Sequence, residues 1–180
     1  MGTRVWAISL LTSIALAQRL VADTLYLRFY SDAPLEKIIA ENSRGVYSFL
    51  DLSTDSVFVR IKIRGFSFPN KLMEEHFNEN YLESEKYPYA YFRGRLVAPI
   101  PYPTPGTYAV SAKGVLEIHG VPKERLLSGV FEVQPNGSLL LSGKAYVKPA
   151  NHQIDIPRLL TQKIAETVEV TWWGRYVPAP

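Results

Sequence analysis

The sequence of 180 residues contains no cysteine. This absence excludes disulfide bonds, a thiol nucleophile and a lipid anchor attached to cysteine. A secreted chain without disulfides depends on its hydrophobic core alone for stability. If the chain is exported, the lack of cysteine suits a bacterial periplasm better than a eukaryotic extracellular space.

Sequence signatures of catalysis are missing as well. There is no G-x-S-x-G, no Walker A loop and no G-x-G-x-x-G. Carboxylates are plentiful, but one sequence does not tell which of them meet, so an undetected hydrolase stays an open alternative. The formal net charge is only +3, which gives no reason to expect a nucleic acid or an anionic membrane as partner.

Long apolar runs are also scarce, and the one strong run lies at the N-terminus. Val5–Leu16 is almost wholly apolar, follows Arg4, and ends beside the small residues Ala15 and Ala17. It is shorter than the roughly 20 residues of a bilayer span, so a membrane anchor is the weaker interpretation. We predict a signal peptide over residues 1–17, with a cut after Ala22 as an alternative, and a single domain over residues 18–180.

Alternating apolar and polar residues dominate the rest of the chain and predict strands. The clearest pattern is Val57, Val59, Ile61 and Ile63, with Phe58, Arg60, Lys62 and Arg64 between them. A change of phase after Gly65 predicts a bulge, Gly120–Lys123 a turn, and Asn136-Gly137 a hairpin turn. The predicted strands are Leu25–Tyr30, Gly45–Leu52, Val57–Arg64, Tyr89–Val97, Thr107–His119, Arg125–Gln134, Leu139–Lys148 and Ile164–Val177.

Three segments are predicted as helical. Lys71–Ser84 follows Asn70, a good N-cap, and its residues Met73, Phe77 and Tyr81 form an apolar stripe. Pro34–Asn42 and Pro157–Lys163 are the shorter candidates. Eight strands at hairpin spacing with one amphipathic helix and short helical segments predict an all-β fold, an eight-stranded antiparallel barrel. A β-sandwich is the alternative architecture.

Several of these segments resemble the YceI-like family of polyisoprenoid-binding proteins. The matching residues are Phe66 and Phe68, then Lys86-Tyr87-Pro88 with Phe92, then the run Leu116–Lys123 with sequence LEIHGVPK. The resemblance spans about Thr24 to Val177. It implies a lipocalin-like barrel, exported to the periplasm, that holds isoprenoid or quinone-like lipids without transforming them. The helix carries Glu-Glu-His-Phe-Asn-Glu where other branches have an Arg-Asp-rich run, so the resemblance leaves the headgroup preference open.

One face of the predicted strands and helix supplies the candidate lipid-binding residues. The residue pattern alone favours a filled core, since eight strands are just wide enough to be filled by side chains, whereas the resemblance favours a cavity. The candidates are Leu25, Leu27, Phe29, Val57, Val59, Ile61, Ile63, Phe77, Tyr81, Phe92, Leu116, Ile118, Phe131, Val133, Val168, Val170 and Trp172.

The remaining chemistry-bearing residues are interpreted as structural. His76 and Glu79 lie on neighbouring helical positions but lack the pattern of a zinc site. His119 and His152 lie at a strand end and in a loop. The stripe Arg60, Lys62 and Arg64 suits an outward barrel wall better than a nucleic-acid surface.

The sequence, taken with this resemblance, predicts a periplasmic or secreted lipid-binding barrel that is not an enzyme and needs no cofactor or metal. The resemblance implies an isoprenoid lipid, or a quinone-like one, as its ligand. Nucleic acid is not expected as a partner. A transient membrane contact and the oligomeric state stay open. The rival hypothesis is a non-catalytic structural or interaction barrel of the cell envelope with a filled core.

Overall fold

A computed structural model describes residues 19–157 and 163–180. Within these residues the chain forms nine strands and one short α-helix, α1 (Lys71–His76), which continues as a π-helical turn over Phe77–Tyr81. Short 3-10 turns occupy Ile63–Gly65 and Pro149–His152. The strands are β1 (Arg19–Asp32), β2 (Lys37–Asn42), β3 (Val46–Asp51), β4 (Ser56–Lys62), β5 (Tyr89–Leu96), β6 (Gly106–Ile118), β7 (Val121–Val133), β8 (Leu139–Val147) and β9 (Val168–Pro178).

The sheet closes on itself as an antiparallel barrel. Strands β3 to β9 pair in chain order, and β1 closes the barrel by pairing with β9 on one side and with β3 on the other. The second half of β1 pairs with β2 on the same edge that its first half offers to β3. Among the described residues β2 and β3 thus act as one interrupted strand, and the barrel has eight strand positions, which confirms the predicted fold class.

The predicted helix over Pro34–Asn42 is wrong. Residues Lys37–Asn42 form β2 and pair with Leu27–Asp32 of β1. Leu35, Ile38 and Ile39 have helical spacing, but Ile38, Ala40 and Asn42 are the buried positions, at period two. Pairing with the exposed edge of β1 therefore overrides the local pattern, and Leu35 is left in the turn.

Bulge placement also differs from the prediction. At Gly65 the chain makes a 3-10 turn and leaves the barrel, instead of bulging within a strand. The bulge lies in β1, where the register against β9 shifts between Ala22 and Thr24. This extra residue moves the inward face from Leu20 to Leu25 and Leu27, as a bulge must.

The hairpin turns lie close to their predicted positions. His119 and Gly120 both have positive φ and connect the paired residues Ile118 and Val121, so the turn is shorter than predicted and Pro122 belongs to β7. The Asn136-Gly137 turn is confirmed, with Gly137 at φ +79°. The segments predicted as signal peptide (1–17) and as a helical turn (157–163) fall wholly or mostly outside the described residues.

The two ends of the barrel are built differently. At the end we call the floor, β1, β3, β7, β8 and β9 bring together Leu20, Leu50, Val133, Leu139 and Tyr176 in a dense core. At the opposite end, which we call the mouth, residues 63–88 fold across the barrel as a roof. Phe66 and Phe68 of the roof are buried against Leu25, Leu27 and Ile38.

Candidate functional site

A cavity of about 580 Å³ occupies the barrel interior between the floor and the roof. Its size lies within the range of roughly 300–1,000 Å³ that is usual for small-molecule sites. The walls are inward-facing residues of the strands, and the roof contributes Phe66, Phe68, Met73 and Phe77. Because nearly all of these side chains are apolar, the cavity suits a hydrocarbon.

The structure places sixteen of the seventeen candidate residues around this cavity. They are Leu25, Leu27, Phe29, Val57, Val59, Ile61, Ile63, Phe77, Tyr81, Phe92, Leu116, Ile118, Phe131, Val168, Val170 and Trp172. The remaining candidate, Val133, lies in the dense core of the floor, beyond the cavity. It shares the inward phase of Phe131 but is one step nearer the barrel end, so neighbouring side chains cover it. That the sixteen contact a lipid stays a prediction.

Further lining residues were missed by the sequence reasoning. Val110 and Ala112 continue the inward phase of Leu116 and Ile118 on β6, so extending that alternation toward the strand start would have found them. Other missed residues come from loops and the corrected strand, whose places depend on the tertiary fold. They include Ile38, Leu82, Ile154, Ile156 and Ile164.

Four phenylalanine rings hold the roof on the barrel. Phe77 of the roof lies 5.4 Å from Phe29 of β1, 5.7 Å from Phe66 and 5.0 Å from Phe68, measured between ring centroids. These separations are typical of favourable aromatic pairs. The predicted stripe of Met73, Phe77 and Tyr81 therefore faces the barrel and closes the cavity from above.

Polar contacts fix the start of α1 within the roof. The side chain of Asn70 accepts hydrogen bonds from the backbone N–H groups of Leu72 and Met73, which is the predicted N-cap. Glu74 accepts from the N–H of Phe68 at 3.1 Å and pairs with Lys71. The Phe68 N–H, followed by Lys71, lowers the pKa of Glu74, so this carboxylate stays charged at neutral pH.

At the floor the buried polar groups satisfy one another. Ser48 donates to the carbonyl of Phe58 at 2.8 Å, so the Tyr176 hydroxyl donates to Ser48 at 2.6 Å. Burial raises the pKa of Tyr176 to about 12. At the same end of the barrel, Tyr102 donates to the carbonyl of Gly137 at 2.8 Å and ties the proline-rich β5–β6 connection to the β7–β8 turn. The floor is thus closed and offers an apolar surface to a ligand.

Apart from Ser128 of β7 and Tyr176 of the floor, the polar and charged lining residues lie at the mouth. Glu36 in the β1–β2 turn, Asn70 and His76 in the roof, and Lys163 after β8 all border the cavity. Ser31 also lines it there, and its hydroxyl accepts a hydrogen bond from the N–H of Ala165. A ligand with one polar end would find hydrogen-bonding groups at the mouth and hydrocarbon below.

The other two histidines lie outside the cavity and connect the roof to the barrel. His119 contacts Glu83 at 2.6 Å and the carbonyl of His152 at 3.3 Å, while Tyr87 packs edge-on against its ring. The His152 ring contacts the carbonyl of Val121 at 2.9 Å. Burial lowers the pKa of His152. The network fastens the end of the roof to the β6–β7 turn.

The basic stripe on β4 faces outward. The Arg60 guanidinium lies over the rings of Tyr47 and Tyr89, at 5.5 and 5.2 Å from their centroids. Arg64 pairs with Glu85.

Across residues 19–157 and 163–180, no cluster of three His, Cys, Asp or Glu side chains is placed to hold a metal ion. In the same ranges, no helix reaches the length and hydropathy needed to cross a membrane.

The family model of the YceI-like domain matches residues 39–173. This match covers more than half of the sequence, so the chain belongs to the YceI-like family. No curated protein matches the sequence.

Solved structures of three bacterial proteins share the fold. A polyisoprenoid-binding domain from Saccharophagus degradans, implicated in plant cell wall breakdown, has a TM-score of 0.76 at 14% identity, over 92% of this chain and 100% of its own. BcnA of Burkholderia cenocepacia has a TM-score of 0.69 at 14% identity, over 84% and 95%. The YceI protein of Campylobacter jejuni has a TM-score of 0.52 at 13% identity, over 99% and 92%.

Proposed function

We propose that this member of the YceI-like family binds an isoprenoid lipid, with the tail inside the barrel and the headgroup at the mouth. The observation that carries the proposal is the apolar cavity of about 580 Å³, whose lining residues Glu36, His76 and Lys163 lie at the mouth. A barrel with a filled core would not leave such a space. The likeness to a solved polyisoprenoid-binding domain supports the isoprenoid class among apolar ligands.

The depth of the cavity sets the length of tail that it takes. On β1 the lining residues run from Leu25 to Ser31, which is about 20 Å at a strand rise of about 3.3 Å per residue. An extended chain advances about 1.2 Å per bond, so an isoprene unit spans about 5 Å. We therefore expect about four extended units below the mouth, and a longer tail must fold back or project.

Burial of hydrocarbon is sufficient to hold such a tail. At about 0.8 kcal/mol per buried CH₂, four units of five carbons gain about 16 kcal/mol as an upper value. Association costs about 4–15 kcal/mol. The balance is favourable without a strong headgroup contact, so we expect the protein to tolerate several headgroups. The closed floor requires the tail to lie toward Tyr176.

The proposed role is sequestration or transport in the periplasm without bond making. A signal peptide over residues 1–17 fits this location, and the mature N-terminus would be Gln18. Intact mass of protein from a periplasmic fraction tests the export. A lipid recovered unchanged in mass after prolonged incubation tests the absence of catalysis.

A cavity-filling substitution tests the binding itself. Ala112 lines the cavity on β6, whereas Ala109 on the same strand is exposed. Purified wild type and Ala109→Phe should release isoprenoid lipid into organic solvent, as measured by mass spectrometry. Ala112→Phe should fold and release at most about a tenth as much. Repeatedly empty wild-type preparations, or equal loading of both variants, would overturn the proposal.

A further inference from the structure

Two exposed leucines stand beside the mouth of the cavity. Leu35 in the β1–β2 turn is 68% exposed and Leu72 in α1 is 57% exposed. Pro34 and Pro69 next to them are exposed as well. Leu72 is itself a lining residue of the cavity, so the apolar surface is continuous from the interior to the outside. Contiguous exposed apolar surface, unlike a single exposed leucine, marks an interaction site for a protein or a membrane.

Local pairing brings the two leucines to one rim. Glu41 of β2 and Ser67 of the roof exchange both backbone hydrogen bonds, at 3.1 and 2.8 Å, in an antiparallel bridge. The chain after Ser67 therefore runs back along β2 toward the β1–β2 turn. Glu36 from this turn and Leu72 from α1 border the same cavity. We call Pro34, Leu35, Pro69 and Leu72 the rim.

Charged residues around the rim do not favour an anionic partner strongly. Lys37 pairs with Asp32 at 3.7 Å, and Lys71 pairs with Glu74 at 3.1 Å. Lys163 adds one positive charge at the mouth. The apolar side chains, rather than a basic patch, are thus what the rim offers to a partner.

We propose that the rim is a membrane-docking surface, by which the protein exchanges lipid directly with a bilayer. The inference rests on the proposed isoprenoid binding. A tail that leaves the cavity into water exposes all of its hydrocarbon at once. If the leucines dip into the acyl boundary, the tail passes from one apolar phase to another. The occupant of the rim is therefore a bilayer surface, held by shallow apolar insertion.

The test compares substitutions at the two ends of the barrel. The double variant Leu35→Asp with Pro69→Asp places charges on both segments of the rim, at exposed residues that do not line the cavity. The control is Val97→Asp, since Val97 is 65% exposed and lies at the end of β5 near the floor. Each protein is mixed with phosphatidylcholine vesicles, with and without phosphatidylglycerol, that carry a geranylgeranyl-chain lipid. Vesicle flotation, lipid transfer to acceptor vesicles, and loading from detergent micelles are measured.

We expect wild type and Val97→Asp to float with both vesicle types and to transfer lipid at similar rates. The double variant should lose at least about tenfold in flotation and transfer, while its loading from micelles is unchanged. A double variant that floats and transfers like wild type overturns the docking surface. So does wild type that loads from micelles but never floats, a result that would favour a protein partner.

Two further results separate the docking surface from the binding role. Wild type that takes up no lipid from micelles overturns the proposed function, whatever the flotation shows. Flotation that requires phosphatidylglycerol and disappears in high salt would overturn apolar insertion by the leucines, because charge-driven binding is screened by salt.

Discussion

Replacing Ile61 by aspartate puts a carboxylate into the wall of the cavity. Ile61 lies on β4, pairs with Ala90 and Val46, and packs against two hydrophobic clusters, each of which includes residues of the roof. Its neighbour Lys62 points outward from the same strand and is exposed. The apolar wall of the cavity offers no partner for the new charge.

The Ile61→Asp change lowers the free energy of unfolding in two ways, and the two losses add. Ile61 is partly buried, so losing its side chain costs at most about 1.5–3 kcal/mol, the range for a fully buried one. A carboxyl group buried without a partner has its pKa raised by about 3 units or more, and each unit is worth about 1.4 kcal/mol. At pH 7.5 the sum is roughly 6–7 kcal/mol. This is comparable to the whole stability of a typical domain, about 5–15 kcal/mol.

The cost of burying the new carboxylate depends on pH, and the direction of this dependence follows from its raised pKa. The folded-state pKa of the new aspartate is raised above its unfolded value of about 3.9, so the folded form binds more protons between these two values. Stability then falls as pH rises through that window. The variant should be weakest at pH 7.5 and should recover part of its stability near pH 5. Ile61→Asn, which is polar but uncharged, should lack this recovery.

Urea unfolding at pH 5 and pH 7.5, with lipid extraction from the same samples, measures both costs. Lys62→Asp serves as the outward control and should change the free energy of unfolding by less than about 1 kcal/mol. The reasoning fails if Ile61→Asp matches Lys62→Asp at both pH values and still retains lipid. Ile61 would then contact water, and the inward phase of β4 would not bound a dry site.

Two further predictions concern the parts that shape the barrel. Asn42 at the end of β2 is fully buried, accepts from the N–H of Gly45 and donates to the carbonyl of Lys62 on β4. Asn42→Ala should therefore lower the free energy of unfolding by roughly 2–4 kcal/mol in urea. Asn151→Ala, at an exposed site, should have little effect, and equal values would contradict this. Burial, helped by the charges of Arg125 and Lys123, lowers the folded pKa of His152, so the unfolded chain binds more protons below about pH 6.5 and stability falls with falling pH. Melting temperatures between pH 7.5 and 5.5 should drop for wild type and much less for His152→Gln, and parallel curves would refute the assignment.

The barrel and most of its lining follow from period-two patterning. In β4, the inward positions Val57, Val59 and Ile61 could be predicted because charged residues alternate with them in the second half of the strand. The helix of the roof could also be predicted from periodicity, since Met73, Phe77 and Tyr81 recur at helical spacing after a strong N-cap. Where one face of an element contacts water and the other is buried, the alternation of polar and apolar residues predicts which side chains point inward.

The wrong predictions arise where contacts between distant segments determine the structure. Lys37–Asn42 becomes a strand because β1 offers it an edge, which no local pattern states. The bulge near Asp23 leaves no glycine or proline signal, yet it sets which residues of β1 face inward. Val133 has the right phase, but its depth along the barrel depends on how the floor closes. Alternation of apolar and polar residues predicts whether a side chain points inward, but not its position along the barrel axis.

The two ends of the barrel also differ in how they are held, and this difference bears on the proposed direction of lipid exchange. The floor is closed by continuous strand pairing and by the Tyr176–Ser48–Phe58 hydrogen bonds within a dense core. The roof is held by ring contacts of Phe77, an isolated bridge at Ser67 and a side-chain network at His119. Segments with fewer backbone ladders open at lower free energy than core strands. The end that opens most readily is therefore also the end that carries Glu36, His76, Lys163 and the rim. These separate features agree in placing the proposed tail entry, headgroup and membrane contact at the mouth.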